Sequence, residues 1–242
     1  MTDQLKKLWA ECFSDPPEAI HSFFAAAYSP ERCRYLERNG QTAAALHWLD
    51  GTYQGQKVAY LYAVATAPAF RGQGLCRELM GKTHQELAQA GYASALLSPA
   101  GEGLRRMYAG MGYRDCCSRR EFSCAAGAAV TVRELSEIEY ATLRRQMLPG
   151  DGLIQEGAFL RYLATYARFY AGEDFLLAAS VQDGAVLGWE LLGNTFAAPG
   201  IVSALKAGRG HFRTPGQDVP VGMILPLAEN AGIPGYLGFP LD

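Results

Sequence analysis

The sequence predicts a layered α+β fold, strands stacked with helices, arranged as two successive units. Three observations carry that expectation. Apolar residues alternate between strand-like and helix-like spacing along the chain. A run of small residues, Ala125-Ala126-Gly127-Ala128-Ala129, interrupts the pattern near the middle, and a similar order of elements begins again after it. The composition, 49% hydrophobic against 19% charged, is that of a chain able to bury a core.

Leu5, Leu8, Trp9, Cys12 and Phe13 follow the i, i+3, i+4, i+7, i+8 spacing of one helix face. Asp15-Pro16-Pro17 breaks it, and residues 18–28 read as a second short helix. Strands are expected over 33–37, 42–49 and 58–65, with turns at Asn39-Gly40 and Asp50-Gly51. A helix over 73–90 carries the stripe Leu75, Leu79, Thr83, Leu87 and Ala90 and stops at Gly91. Residues 92–97 read as a strand, 102–108 as a short helix and 113–124 as extended or hairpin-like.

Beyond the small-residue run, a strand is expected over 131–133 and helices over 136–147 and 157–170. Strands over 175–181 and 185–192 flank a turn at Asp183-Gly184. In the second of these, Trp189 reads as core and Glu190 as its exposed neighbour. A helix over 199–206, a hairpin over 211–225 turning at Pro215-Gly216, and an extended piece over 236–239 complete the chain. The expected units are therefore 1–126 and 130–242. Charge divides similarly, with 14 Lys/Arg against 12 Asp/Glu in the first 128 residues and 8 against 12 in the rest.

A net charge of −2 argues against a nucleic-acid binder. No apolar run reaches the roughly 18 residues of a membrane-spanning helix. The start of the chain lacks the apolar centre of a signal peptide, so a cytoplasmic protein without a membrane partner is expected. Cys12, Cys33, Cys76, Cys116, Cys117 and Cys124 include no Cys-x-x-Cys pair, and the four histidines are scattered singly. Reduced, partly buried thiols are expected, with no metal centre. Cys116 and Cys117, placed on a strand, would point to opposite faces.

One stretch carries chemistry: the apolar strand at 58–65, a Pro-containing loop, then Arg71-Gly72-Gln73-Gly74 opening a helix. Glycines allow backbone N–H groups to turn towards an anion, and the first helical turn offers unpaired donors with partial positive charge. Arg71 adds a cation. The same glycines also suit an ordinary strand-to-helix turn. A dinucleotide fingerprint fails because its third glycine position is Arg77. A P-loop ending at Gly81-Lys82-Thr83 fails because its first glycine position is Cys76, which disfavours a nucleotide enzyme of that type.

About thirty residues on comes Tyr108-Ala109-Gly110-Met111-Gly112-Tyr113. With this second element, the stretch from Val58 to Tyr113 resembles the GNAT superfamily of acetyl-CoA-dependent N-acetyltransferases. Arg71-Gly72-Gln73-Gly74-Leu75-Cys76 matches the family's Arg/Gln-x-x-Gly-x-Gly/Ala signature except at Cys76. Tyr108, Gly112 and Tyr113 match its tyrosine, glycine and aromatic ending, whereas Gly101 stands where an asparagine is common.

The resemblance implies a mixed central sheet flanked by helices, the GNAT fold, in tandem here. It implies acetyl-CoA as cosubstrate and no metal. Arg71, Gly72, Gln73, Gly74, Leu75, Cys76 and Arg77 would hold the pyrophosphate. The backbone of Val64, Ala65 and Thr66 would pair with the pantetheine arm and polarise the thioester carbonyl. Tyr108 would protonate the departing thiolate. A small-molecule or peptide amine would be the acceptor, and oligomerisation is left open.

The second half has no such signature, and the layout resembles the branch of the enhanced intracellular survival acetyltransferases: an active unit joined to a degenerate one. No side chain stands out as general base; the terminal carboxylate of Asp242 or a water would serve. A catalytically silent acyl-CoA-binding or regulatory module is the alternative expectation.

Overall fold

Two short helices open the chain because apolar residues recur at helical spacing and prolines punctuate them. α1 (Thr2–Cys12) buries Leu5, Leu8 and Trp9; α2 (Pro17–Ala26) starts on a proline, whose missing N–H costs nothing there, and buries Ile20 and Phe23. This computed structural model describes residues 1–241. The chain forms two units, each with its own core: the first holds Met1–Arg114, Met223–Gly232 and Leu241, the second Asp115–Gly222 and Ile233–Pro240.

In the first unit, β1 (Cys33–Arg38) and β2 (Gln41–Tyr53) form a hairpin turning at Asn39-Gly40, both at positive φ. β2 does not turn at Asp50-Gly51 as expected. The Asp50 carboxylate accepts from Arg32 Nε at 2.8 Å and Tyr92 Oη at 2.5 Å, and Gly51 pairs with Val58. The turn falls instead at Gln54-Gly55, with φ of 49° and 77°, before β3 (Gln56–Thr66).

Next come α3 (Leu75–Gln89), β4 (Tyr92–Leu97), α4 (Glu102–Ala109) and β5 (Arg114–Asp115). The sheet runs β1-β2-β3-β4-β14-β5, where β14 (Met223–Pro226) comes from far along the chain. β3 and β4 are parallel and the other resolved pairs of this path antiparallel, giving the mixed sheet the resemblance implied.

The second unit contains β6 (Ser118–Ala125), β7 (Arg133–Leu135), α5 (Glu137–Met147), β8 (Ile154–Gln155) and α6 (Ala158–Leu163). It continues with β9 (Arg168–Ala171), β10 (Phe175–Gln182), β11 (Ala185–Gly193), α7 (Ala198–Ala204), β12 (Arg209–Pro215) and β13 (Val219–Pro220). Its sheet runs β13-β6-β12-β11-β10-β9-β7, parallel only between β11 and β12. α7 packs with Val186, Leu191 and Phe212 in its core.

Several elements depart from expectation. The small-residue run belongs to the second unit: Ala125 ends β6 opposite Arg209, and the Ala126 and Gly127 N–H groups donate to Gly208 and Pro199 carbonyls. The helix at 157–170 stops at Leu163, because residues 168–171 are needed as β9 between β10 and β7. The 211–225 hairpin does not form: β12 pairs with β6 and β11, and β14 serves the first sheet.

All six cysteines are free. Cys116 and Cys117 lie off the strands with their Sγ atoms 3.4 Å apart, rather than on opposite faces. Glu190 is buried rather than exposed, and Trp189 is only half-buried. A bulge sets Ala178 opposite Glu190 and Ala179 opposite Gly188, so Trp189 is the extra residue and the alternation slips.

Glu190, 0% exposed, anchors the second unit. Arg144 of α5 grips its carboxylate with Nε at 2.6 Å and Nη2 at 2.9 Å. Tyr140 and Tyr236 donate their hydroxyls to it at 2.8 and 3.1 Å. The chain end closes over this group. Gln155 exchanges two hydrogen bonds with the backbone of Phe239, whose ring lies 4.8 Å from the Arg144 guanidinium. A side chain at Gly238 would meet Glu190 Oε1 at 1.9 Å.

Four hydrogen bonds satisfy one buried charge, so removing the cation leaves that charge uncompensated. Arg144→Met is expected to cost about 3–5 kcal/mol in denaturant unfolding; a loss under about 1 kcal/mol would show that the network is not an anchor.

Candidate active site

β3 pairs along its whole length with β2 but only partway with β4. Its parallel pairing with β4 ends at Tyr60↔Leu96, while β3 continues to Thr66. Within that continuation the register with β2 shifts: His47 faces Tyr62 and Ala45 faces Ala65, so Leu46 alone spans Ala63 and Val64. Ala63 sits at φ 49°, the left-handed region that a non-glycine residue enters only when its surroundings demand it. The bulge takes Ala63 and Val64 out of the β2 ladder, and beyond Tyr60 the strand has no β4 partner.

Of the residues expected to offer backbone here, Val64 belongs to the bulge, and Ala65 and Thr66 pair with Ala45 and Ala44. The Thr66 carbonyl accepts from Arg71 Nε at 3.1 Å and Cys12 Sγ at 3.4 Å, so its acceptor capacity is already used. Burial pushes the Cys12 thiol pKa up, against the opposing pull of Arg71, and the thiol stays protonated. Arg71 therefore braces the loop through its Nε while its side chain stays exposed.

A short turn at Pro68–Phe70 leads to Gly72 and Gly74, at φ 76° and 78°. A Cβ at either position would meet nothing within 4 Å, so backbone conformation demands glycine and the space in front is open. Gly74 caps α3 without a side-chain hydrogen bond, leaving the first-turn N–H groups of that helix without a side-chain partner. Residues 71–74 are exposed, Leu75 is buried, and Arg77 Nη1 donates to the Gly110 carbonyl at 3.0 Å. An exposed arc of N–H donors at a helix start, flanked by arginines, fits a diphosphate.

Tyr108 lies on α4 and is 5% exposed. It shares one cluster with Leu75, and Val64, Phe70 and Cys76 pack against that cluster, so both motifs of the sequence meet there. Burial, and secondarily the Cys76 thiol, raise the Tyr108 pKa well above its ordinary value. Its hydroxyl therefore keeps its proton at neutral pH and is available as a donor. Cys76, at the signature's divergent position, is pushed up by burial as well and fills core space. The Tyr113 ring stands 5.7 Å from that of Tyr108, and its hydroxyl shares a hydrogen bond with His84 Nε2 at 2.8 Å. Asp242, expected as the source of a terminal carboxylate base, lies outside the described residues.

Sequence reasoning missed the bulge at Ala63, which no glycine or proline marks. It also missed His47, one residue from the bulge's Leu46. The rings of Trp9, Phe23, Phe24 and Tyr28 surround His47 at 5.3–5.9 Å, and its buried Nδ1 has no hydrogen-bond partner. The aromatic spacing of α1 and α2 was the available signal. Desolvation lowers the His47 pKa to about 4, so it is a neutral packing group and a poor base.

The unfolded chain, with histidine near 6.5, takes up this proton first as pH falls. The His47 contribution is complete above pH 6.5 and is lost on acidification towards 4, by up to about 3 kcal/mol. His47→Phe is expected to flatten stability between pH 7 and 4.5; His84, also lowered to about 4 by burial, keeps a residual slope. An unchanged slope in urea titrations at several pH values would contradict the assignment.

Residues 1–115 match the family described as acetyltransferase (GNAT) domain. No curated protein sequence matches the chain. Among solved structures, the fold is similar to a GCN5-related N-acetyltransferase from Anabaena variabilis (TM-score 0.73, 16% identity), over 93% of this chain and 70% of that one. It is similar to Eis1 from Mycobacterium abscessus (TM-score 0.61, 12% identity), over 87% and 70%. It is also similar to a tandem GNAT protein from the clavulanic acid biosynthesis pathway (TM-score 0.57, 10% identity), over 95% of both chains. No helix is long and apolar enough to cross a membrane, among the described residues. Residues 1–115 thus match the acetyltransferase (GNAT) domain family, the fold of the chain is the GNAT fold, and both findings point to an acyltransferase.

Proposed function

We propose that the protein moves the acetyl group of acetyl-CoA directly to an amine, with Tyr108 returning a proton to the departing thiolate. The observation that carries this reading is the meeting of the two motifs. A phenol held in its protonated form packs in the same cluster as the start of the glycine-opened helix α3. In this reading the N–H groups of Gly72 to Arg77 grip the diphosphate, Arg71 and Arg77 add charge, and the freed backbone at Val64 and Ala65 orients the thioester. Thr66 contributes mainly by fixing Arg71. The acceptor nitrogen loses its proton to water, since His47 is too weak a base.

The 130–242 region is, on this reading, a degenerate GNAT-like domain, as in the branch of the enhanced intracellular survival acetyltransferases. Its support is the fold similarity to Eis1 and to a tandem GNAT protein across nearly the whole chain. The acceptor is a small-molecule or peptide amine, and six free thiols suit a reducing cytoplasm.

Acetyl-CoA at a hundred times its Kd should stabilise the protein by about 2.7 kcal/mol, read as a rise in Tm, whereas ATP with magnesium should not. Gly74→Val, strained at its positive φ, should abolish that rise. An unaffected rise would remove the helix start from the binding site. In a thiol-release assay with an amine panel, Tyr108→Phe should lower kcat by about a hundredfold or more while leaving the acetyl-CoA shift intact. Equal losses in both would make Tyr108 structural, and binding without thiol release from any amine would favour a silent acyl-CoA module.

A further inference from the structure

We propose that the second unit carries its own serine-nucleophile site for small acyl esters, built from Ser123, His211 and Glu121. β6 and β12 pair antiparallel with Ser123 opposite His211 and Glu121 opposite Arg213. Alternation along a strand therefore raises Glu121, Ser123 and His211 from one face of the sheet. Ser123 Oγ is 3.0 Å from His211 Nδ1, and His211 Nε2 is 3.3 Å from Glu121 Oε2. Arg119 Nε holds the other carboxylate oxygen at 2.6 Å.

Hydroxyl, imidazole and carboxylate in this order are what makes a serine nucleophilic. In the tautomer with its proton on Nε2, the nitrogen nearest the carboxylate, Nδ1 is left to accept from Oγ. Burial pushes the Glu121 pKa up, but Arg119, Arg213 and His211 together outweigh it and keep the group ionised.

The chain of groups opens onto a depression of about 370 Å³, bounded by Ser123 and His211 together with Leu187, Gln182 and Arg209. That volume suits a short acyl group. Arg209 lies two residues before His211 on β12, on the same face, where a cation can balance a developing oxyanion. None of these residues belongs to the acetyl-transfer machinery of the first unit.

The step is ordinary ester hydrolysis. Ser123 Oγ attacks the ester carbonyl as its proton passes to His211 Nδ1; the C–O bond breaks and the alcohol leaves with that proton. Water then attacks the acyl-serine, His211 again carries the proton, and the carboxylic acid departs. Ester and water become acid and alcohol, with no other reactant. Ser123 and His211 are catalytic residues, and Glu121 is a positioning residue.

The test uses the full chain without CoA, a fluorophosphonate probe and p-nitrophenyl acetate. A single adduct on Ser123, by peptide mass spectrometry, is expected, with Ser123→Ala losing at least tenfold of p-nitrophenol release at unchanged Tm. Tyr108→Phe should leave both readouts intact, which separates this site from the acetyl-transfer reading. In Glu121→Gln the Ser123 labelling rate should fall at least tenfold at unchanged Tm, and Glu121→Asp should restore part of it, a rescue that a purely structural role would not produce. Labelling spread over other side chains, or wild-type hydrolysis by Ser123→Ala, would overturn the proposal and leave three cross-strand polar neighbours.

Discussion

The first unit depends on a backbone constraint: β3 is fully paired on one side and released on the other. Of the six residues beyond Tyr60, Leu61, Tyr62, Ala65 and Thr66 keep their ladder with β2, while β4 ends at Leu97. Buried N–H and C=O groups demand partners, so a half-released strand is a standing invitation to a ligand with its own amides. Everything chemically useful is attached to that release. The bulge at Ala63 aims the backbone, the Thr66 carbonyl anchors Arg71, and the loop leads into the uncapped start of α3. The helix is held in place by Leu75, Leu79 and Leu87, so a solvent-facing donor arc rests on an apolar foundation.

The second unit solves a different problem. Its core contains a carboxylate that could not stay there alone, and Arg144, Tyr140 and Tyr236 bind it from a helix and from the chain end. Such a network adds little net energy compared with an apolar core, but it tolerates only one arrangement of the groups that share it. The close approach of Gly238 to Glu190 shows how tightly the chain end is fitted.

How much was legible in the sequence depends on how local each cause is. The helices of the first unit, the hairpin at Asn39-Gly40 and the Arg71–Arg77 and Tyr108–Tyr113 motifs depend on neighbours within a few residues, and they stand where expected. The Asp50-Gly51 turn failed because Arg32 and Tyr92, distant in sequence, hold Asp50 in a strand. Glu190 was misread because one extra residue in β11 reverses the faces, and Gly188 beside Trp189 is the one letter that marks it. The Ala63 bulge carries no such mark. The strand at 168–171 was hidden because its pattern continues that of α6, and only its partners β7 and β10 decide the matter.

The contribution of Met223–Pro226 to the first sheet has a consequence for how the molecule is made. β4 acquires its antiparallel neighbour only after more than a hundred further residues have been synthesised. Until then its apolar edge, Ala95-Leu96-Leu97, stays open to any passing strand. Residues 1–126 alone therefore lack the strand that lies beside β4 in the first sheet. A gene cut after residue 126 would keep every signature residue and still release a sheet with a missing member, prone to self-association. In this chain, the acetyltransferase fold is a property of the finished polypeptide.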